Sequence, residues 1–226
     1  GEMVEIELFS QQFFVGLVSI IILDLVLAGD NAVVIAMAAN RLPEHLRKRA
    51  IYVGTAGAII IRLIMTFFAV HLLTVPYLQA IGGLVLLPIA VKLMRPSAKE
   101  EHVDAADTFA GAVKTIIIAD AAMGVDNVIA IAGASHGDFL LVVLGLIISI
   151  PIVVGGSQLI GKLMDKYPVL IVIGAAILGW TGGTMIIHDH TIGPMILGLS
   201  PQAETLVPAA LAGIVCTIGG RGQRSK

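Results

Sequence analysis

Charge and cysteine are what this chain has least of. Of its 226 residues only 13% are charged and a single one, Cys216, is a cysteine. A lone thiol excludes an intramolecular disulfide and any Cys-rich metal centre. Aromatic residues make up 5%, the formal net charge is −2, and no basic run is interleaved with aromatic rings, so no nucleic-acid partner is expected. What fills the chain instead is apolar: 57% of residues are hydrophobic and the mean hydropathy is +0.97, which an ordinary soluble domain of this length does not reach. The composition predicts an all-α polytopic membrane protein. Its first residues, GEMVEIELFS, are acidic and lack the basic n-region and small-residue cleavage site of a signal peptide, so the first span is expected to stay in the mature chain.

Windows of about twenty apolar residues suffice to cross a bilayer core of roughly 30 Å. Seven such windows are present, at 12–39, 50–73, 77–94, 109–134, 139–160, 168–187 and 203–219. Twelve of the fourteen basic residues then fall on one side of a seven-span topology: Arg41, Arg47, Lys48 and Arg49, then Lys92, Arg95 and Lys99, then Lys162 and Lys166, then Arg221, Arg224 and Lys226. Because Lys and Arg concentrate in cytoplasmic loops, this predicts a cell-membrane protein with its amino terminus outside and its carboxyl terminus in the cytoplasm. Arg62 and Lys114 are the exceptions, and both lie within spans.

Two acidic stretches interrupt the apolar runs. Ile21 to Ala36 reads IILDLVLAGDNAVVIA, and Ile116 to Ala132 reads IIIADAAMGVDNVIAIA. An offset of 96 lays Asp24 on Asp120, Asp30 on Asp126 and Asn31 on Asn127. Three spans separate the copies, so the fourth crosses in the direction opposite to the first. The prediction is an inverted-topology repeat, with residues 10–95 as the first three-span unit, 108–190 as the second and 203–219 as an appended seventh span.

An ionised carboxylate at the bilayer centre costs about 2.5 to 3.5 kcal/mol on insertion scales, so acids placed there twice need a purpose. On one unbroken helix, residues six apart sit roughly 120° apart around the axis, and Asp24 and Asp30 would not share a face. Gly29 precedes Asp30, and Gly124 lies two before Asp126, so the first and fourth helices are expected to be interrupted, turning the carboxylates to a common point. Asp24, Asp30, Asn31, Asp120, Asp126 and Asn127 would then present oxygen only. Oxygen donors suit Mg²⁺, Ca²⁺ or Mn²⁺, whereas Zn²⁺ and Cu²⁺ usually recruit His or Cys. Four carboxylates carry more charge than one divalent ion neutralises, and exchanging that ion for about two protons would balance the site. Arg62, inside the second span, is a candidate counter-charge or gating residue. Lys92, near the end of the third, is a weaker one that can snorkel to the interface. The His188–His190 pair and the acidic run of Glu100, Glu101, Asp104 and Asp107 read as solvated loops.

LDLVLAGDNAVVIA and IADAAMGVDNVIAIAG, with IIIR in the second span and GGLVLLPIAVKLM in the third, resemble the TerC family of integral membrane proteins, and within it the short branch associated with manganese-responsive control in bacteria. The resemblance runs over residues 10 to 190. It implies a divalent cation exporter, chiefly of manganese, related to LysE-type exporters, with metal bound at Asp24, Asp30, Asn31, Asp120, Asp126 and Asn127. Export as the direction comes from the resemblance alone. Many relatives carry Glu where this chain has Asp24, and often Ser-Ala where it has Ala28-Gly29, which bears on the size of the site. The expected function is a secondary transporter, not an enzyme, that moves Mn²⁺ in exchange for protons and needs no organic cofactor. The alternatives are export of Ca²⁺ or of a small solute such as an amino acid, a non-transporting partner or sensor in a membrane complex, and an intramembrane aspartyl protease. Against the protease, the residues before Asp30 and Asp126 fit the Gly-x-Gly-Asp setting poorly. Its partners are then the metal ion, protons and the bilayer, with homo-oligomerisation left open by Gly-rich faces such as GWTGG.

Overall fold

The structure, a computed structural model, describes residues 8–27, 29–72, 74–95, 105–135 and 138–224. The regular structure among them is helical: α1 (Gln11–Leu27), α2 (Gly29–Asn40), α3 (Glu44–Phe67), α4 (Ala69–Leu72), α5 (Leu78–Met94), α6 (Ala105–Ala134), α7 (Phe139–Lys166), α8 (Val169–His188), α9 (Gly193–Leu199) and α10 (Ala203–Arg224). Glu100, Glu101 and Asp104 of the acidic run lie outside the described residues.

Local chemistry sets several helix ends. Ser10 Oγ accepts from the Phe13 amide at 3.1 Å and Asp138 from the Leu140 amide at 2.9 Å, capping α1 and α7. Pro43 and Pro168 stand just before α3 and α8, where a missing N–H costs nothing. The charged turn Arg47–Arg49, placed outside the second span by its polarity, is helical and belongs to α3, so that helix starts six residues earlier than the apolar window. The first expected span is broken as anticipated: α1 and α2 are separate helices meeting at 54°.

The expected interruption of the fourth helix is corrected. α6 is continuous from Ala105 to Ala134 and passes through Gly124 without a break. A glycine inside a helix costs only about 1 kcal/mol relative to alanine, less than the hydrogen bonds that a break would forfeit in an apolar surrounding. In α6 the residue between the glycine and the acid is Val125, so the Gly-Asp step that opens α2 is absent there.

Four helices, α3, α7, α8 and α10, are each long and apolar enough to cross a membrane, and α1 with α2 makes a fifth if the broken pair is one span. α5 is apolar but has only 17 residues, and α6 has 30. This is a multi-pass arrangement with its apolar residues on both sides. Inside, Val34 to Ala39 of α2 are all buried, packed with Leu86 and Ala90 of α5, Ile116 and Ala119 of α6, and Ala175 and Leu178 of α8. A second cluster joins Phe13 and Ile20 of α1, Ile131 of α6, and Leu141 and Leu146 of α7. Outside, Val26, Ile60, Phe67, Ile147, Leu159, Val169 and Leu206 are exposed, as side chains that face hydrocarbon rather than water.

The helices pair as α3 with α6, α7 with both α1 and α2, α5 with α6, α2 with α8, and α5 with α8. α5 and α8 cross so closely that a Cβ on Gly182 would stand 2.8 Å from the Gly83 carbonyl oxygen, which only glycine permits. These contacts place α2 and the middle of α6 at the centre of the bundle.

Candidate functional site

Four buried polar side chains from four helices meet near the α1–α2 break. Asp24 comes from α1, Asn31 from α2, Arg62 from α3 and Asp120 from α6, and each is at most 5% exposed. Arg62 Nη1 donates to Asp24 Oδ1, and Arg62 Nη2 to Asp120 Oδ1 at 2.5 Å. Asn31 Nδ2 donates to the same Asp120 oxygen at 2.8 Å. One guanidinium thus bridges the equivalent acids of the two stretches, and an amide from the first stretch reaches the acid of the second.

This is why Arg62 can lie within a span. Two ionised carboxylates would repel in low dielectric, and a planar fork offers each its own N–H. The hydroxyl of Ser149 on α7 stands 2.5 Å from Asp24 Oδ2 and 2.8 Å from the Leu146 carbonyl, and its single proton serves one acceptor at a time. Thr66 Oγ1 donates to the Arg62 carbonyl at 2.8 Å, fixing the last turn of α3.

Not every buried atom is satisfied. Asp120 Oδ2, Asn31 Oδ1, Thr55 Oγ1 and Arg62 Nε have no hydrogen-bond partner among the described residues. Leaving a buried polar atom unpaired costs about 1 to 3 kcal/mol, so several in one cluster mark a place built for something besides packing. Asp120 Oδ2 and Asn31 Oδ1 are acceptor oxygens on side chains already held together through Asp120 Oδ1.

Asp30 sits apart from this cluster's hydrogen bonds. It occupies the first turn of α2, where the helix dipole favours negative charge, and is half-buried. Thr181 Oγ1 on α8 donates to its Oδ2 at 2.6 Å. Asn127 is buried on α6, about two turns beyond Asp120. The Asp126 side chain lies outside the described residues. Lys92 is exposed at the end of α5, and its carbonyl oxygen accepts from Arg41 at 2.5 Å, so it does not join the cluster. Among the described residues no three His, Cys, Asp or Glu side chains converge at metal-binding distance.

Ser149 and Thr181 are partners that sequence reasoning missed. Each is a hydroxyl in an apolar span, a weak signal, because Ser19, Thr115, Ser157 and Thr217 are the same and merely donate to the carbonyl four residues back.

At the far end of the bundle from the basic residues after α2, Asp189 is buried between α8 and α9. Its Oδ2 accepts from the Ala80 amide at 3.0 Å and its Oδ1 from the amides of Thr191 and Ile192 at 2.8 and 3.0 Å. Burial acts to raise its pKa, but the three backbone donors together with the charge of neighbouring His190 outweigh that and hold it below the ordinary carboxylate value.

A bundle of apolar helices with exposed hydrocarbon-facing side chains and a charged cluster inside is an integral, multi-pass membrane protein. The chain belongs to the integral membrane protein TerC family, whose model matches residues 9–226. It is 42% identical over 199 residues to the uncharacterized membrane protein YjbE of Bacillus subtilis, covering 88% of this chain and 91% of that one. The uncharacterized membrane protein YkoY of the same organism is 31% identical over 183 residues, 72% of this chain and 56% of YkoY. The UPF0053 inner membrane protein YgdQ of Escherichia coli is 24% identical over 189 residues, 76% and 79% of the two chains. No solved structure matches.

Proposed function

We propose that the protein is a secondary transporter that carries divalent metal cations, chiefly Mn²⁺, out of the cytoplasm in exchange for protons. One observation carries the reading: the buried junction of the two acidic stretches, where Arg62 bridges Asp24 and Asp120 while Asp120 Oδ2 and Asn31 Oδ1 have no partner among the described residues. A cation and the guanidinium would compete for the same carboxylate oxygens, so Arg62 acts as a tethered counter-charge that a divalent ion displaces. Carboxylate and amide oxygens without His or Cys favour a hard ion. Asp24, Asp30, Asn31, Asp120, Asp126 and Asn127 form the transport site, drawn together when Arg62 withdraws.

The helix pairing supports an inverted repeat of residues 10–95 and 108–190, with 203–219 as a seventh span. Exchanging the first span with the fourth, the second with the fifth and the third with the sixth turns the α3–α6 contact into that of α7 with α1 and α2. It also turns α5–α6 into α8–α2 and leaves α5–α8 unchanged, and all of these contacts occur. Four helices and a broken pair meet the length and apolarity of a span. Counting α5 and α6 as shorter and more polar crossings brings the proposed total to seven. The basic residues after α2, at the ends of α5 and α7 and on α10 favour an outside amino terminus and a cytoplasmic carboxyl terminus. A protease reading has less support: an aspartyl dyad needs two carboxylates sharing one proton, and here a guanidinium stands between Asp24 and Asp120.

Flux from liposomes containing the purified chain tests the proposal, comparing Mn²⁺ with Ca²⁺ and Mg²⁺ and recording proton counterflow. Mn²⁺ movement that drives protons the other way and stops in Asp30→Asn and Asp126→Asn is the expected result. Flux of no divalent ion by the intact chain would overturn it.

A further inference from the structure

Two stripes of side chains run along neighbouring helices to the same basic rim. On α5, Leu84, Pro88 and Lys92 are exposed at spacings of four, with exposed Arg95 just past the helix end, and on α10, Ile214, Ile218 and Arg221 are exposed at spacings of four and three. α5 and α10 are in contact and end together, since a Cβ on Gly219 of α10 would stand 2.5 Å from Met94 Sδ at the end of α5. Between the stripes lies an open groove of about 690 Å³, walled by Pro88 and Val91 on one side and Ile214 and Ile218 on the other, with Arg41, Lys92 and Arg95 also lining it.

Arg41 reaches the groove from the turn after α2. Its Nη1 donates to the carbonyl oxygens of Lys92 at 2.5 Å and Arg95 at 3.2 Å, which fixes the guanidinium over the last turn of α5. A guanidinium has five N–H donors, and among the described residues these bonds engage only Nη1. The result is an apolar trench on two membrane helices that ends in three cations drawn from two segments of the chain.

We propose that this groove binds one anionic phospholipid, with its acyl chains along Pro88, Val91, Ile214 and Ile218 and its phosphate at Arg41, Lys92 and Arg95. A zwitterionic lipid brings an ammonium that this rim repels, and a soluble phosphate makes no use of the walls. The bound lipid fastens α10 to α5 at the basic end of the bundle. The site shares no residue with the Asp24–Arg62–Asp120 cluster, so it stands or falls independently of metal transport.

Native mass spectrometry of the purified full chain, offered phosphatidylglycerol and phosphatidylcholine with the same acyl chains, is the test. One retained phosphatidylglycerol per chain is expected, with little phosphatidylcholine, and an excess of glycerol phosphate should not displace it. Each cation near an anionic headgroup contributes about fivefold, so Lys92→Gln with Arg95→Gln should weaken retention about twenty-five-fold. Ile214→Trp, which fills the trench and leaves the rim intact, should also lower it. Circular dichroism and gel filtration of each variant confirm that it is folded, since all three side chains are exposed. Equal retention of the two lipids, displacement by glycerol phosphate, undiminished retention in the folded double variant, or indifference to Ile214→Trp would each overturn the proposal.

Discussion

Residues 24–31 and 120–127 carry Asp, Asp and Asn at identical spacing, but their backbones differ. In the first stretch the helix stops at Leu27 and restarts at Gly29, so Asp24 closes one helix and Asp30 opens the next. In the second, Asp120 and Asp126 ride on one unbroken α6. A helix start brings free amide groups and a positive dipole end, which suit Asp30. Mid-helix Asp120 has neither, and its donors come from other helices, Arg62 on α3 and Asn31 on α2. The same three residue types therefore do different work. The broken copy supplies a carboxylate at a new helix start, and the continuous copy supplies a mid-helix carboxylate against which Arg62 and Asn31 are held.

The largest expected effect follows from removing what joins the two. Arg62→Met leaves two buried carboxylates facing each other and should cost about 3 to 5 kcal/mol in unfolding free energy, read by thermal or denaturant unfolding in micelles. Adding Asp24→Asn and Asp120→Asn to it should recover most of that loss, because neutral partners need no counter-charge. A triple variant as unstable as the single one would mean that Arg62 acts through its packing.

Hydroxyl partners separate the two acids of the broken stretch. Ser149→Ala deprives fully buried Asp24 of a donor and should cost about 2 kcal/mol. Thr181→Val does the same to half-buried Asp30, where solvent can substitute, and should cost about 1 kcal/mol. Equal costs in the same unfolding assay would remove the distinction drawn between these sites.

The two glycines test the backbones themselves. A Cβ at Gly124 meets nothing within 4 Å, so Gly124→Ala should stabilise the continuous helix by about 0.5 to 1 kcal/mol. Gly29 is equally open, but it stands at a helix start, where alanine gains little and the change in stability should be close to zero. If Gly124→Ala also slows ion flux, α6 must unwind during transport.

A small pH dependence is expected at the opposite end, where Asp189 ties the turn after α8 to the start of α5. Its folded pKa lies below the unfolded one, so its stabilisation is complete above the ordinary carboxylate pKa of about 3.9 and is lost as pH falls through the folded value. Asp189→Asn should flatten the acid limb of a stability-against-pH curve below about pH 4, and an unchanged limb would assign it to other carboxylates.

Much of this was legible because burial in an apolar span leaves charge nowhere to hide. Asp24, Asn31, Arg62 and Asp120 stand out from their sequence neighbours by polarity alone, and they are the residues that meet. The break at Gly29 could be read from a glycine directly before an acid. The continuity of α6 is easily misread, because Gly124 near Asp126 resembles the same signal although Val125 stands between them and the Gly-Asp step is missing. Asp189 was passed over because it lies between His188 and His190 in a loop, and no local pattern reveals that its carboxylate reaches Ala80, 109 residues away.

Binding of Mn²⁺ to the purified chain, followed by electron paramagnetic resonance of the free ion, tests the central claim most directly. One bound Mn²⁺ per chain is expected, lost both in Asp30→Asn, from the broken stretch, and in Asp120→Asn, from the continuous one. Full Mn²⁺ binding in either variant, or none in the parent chain, would contradict it.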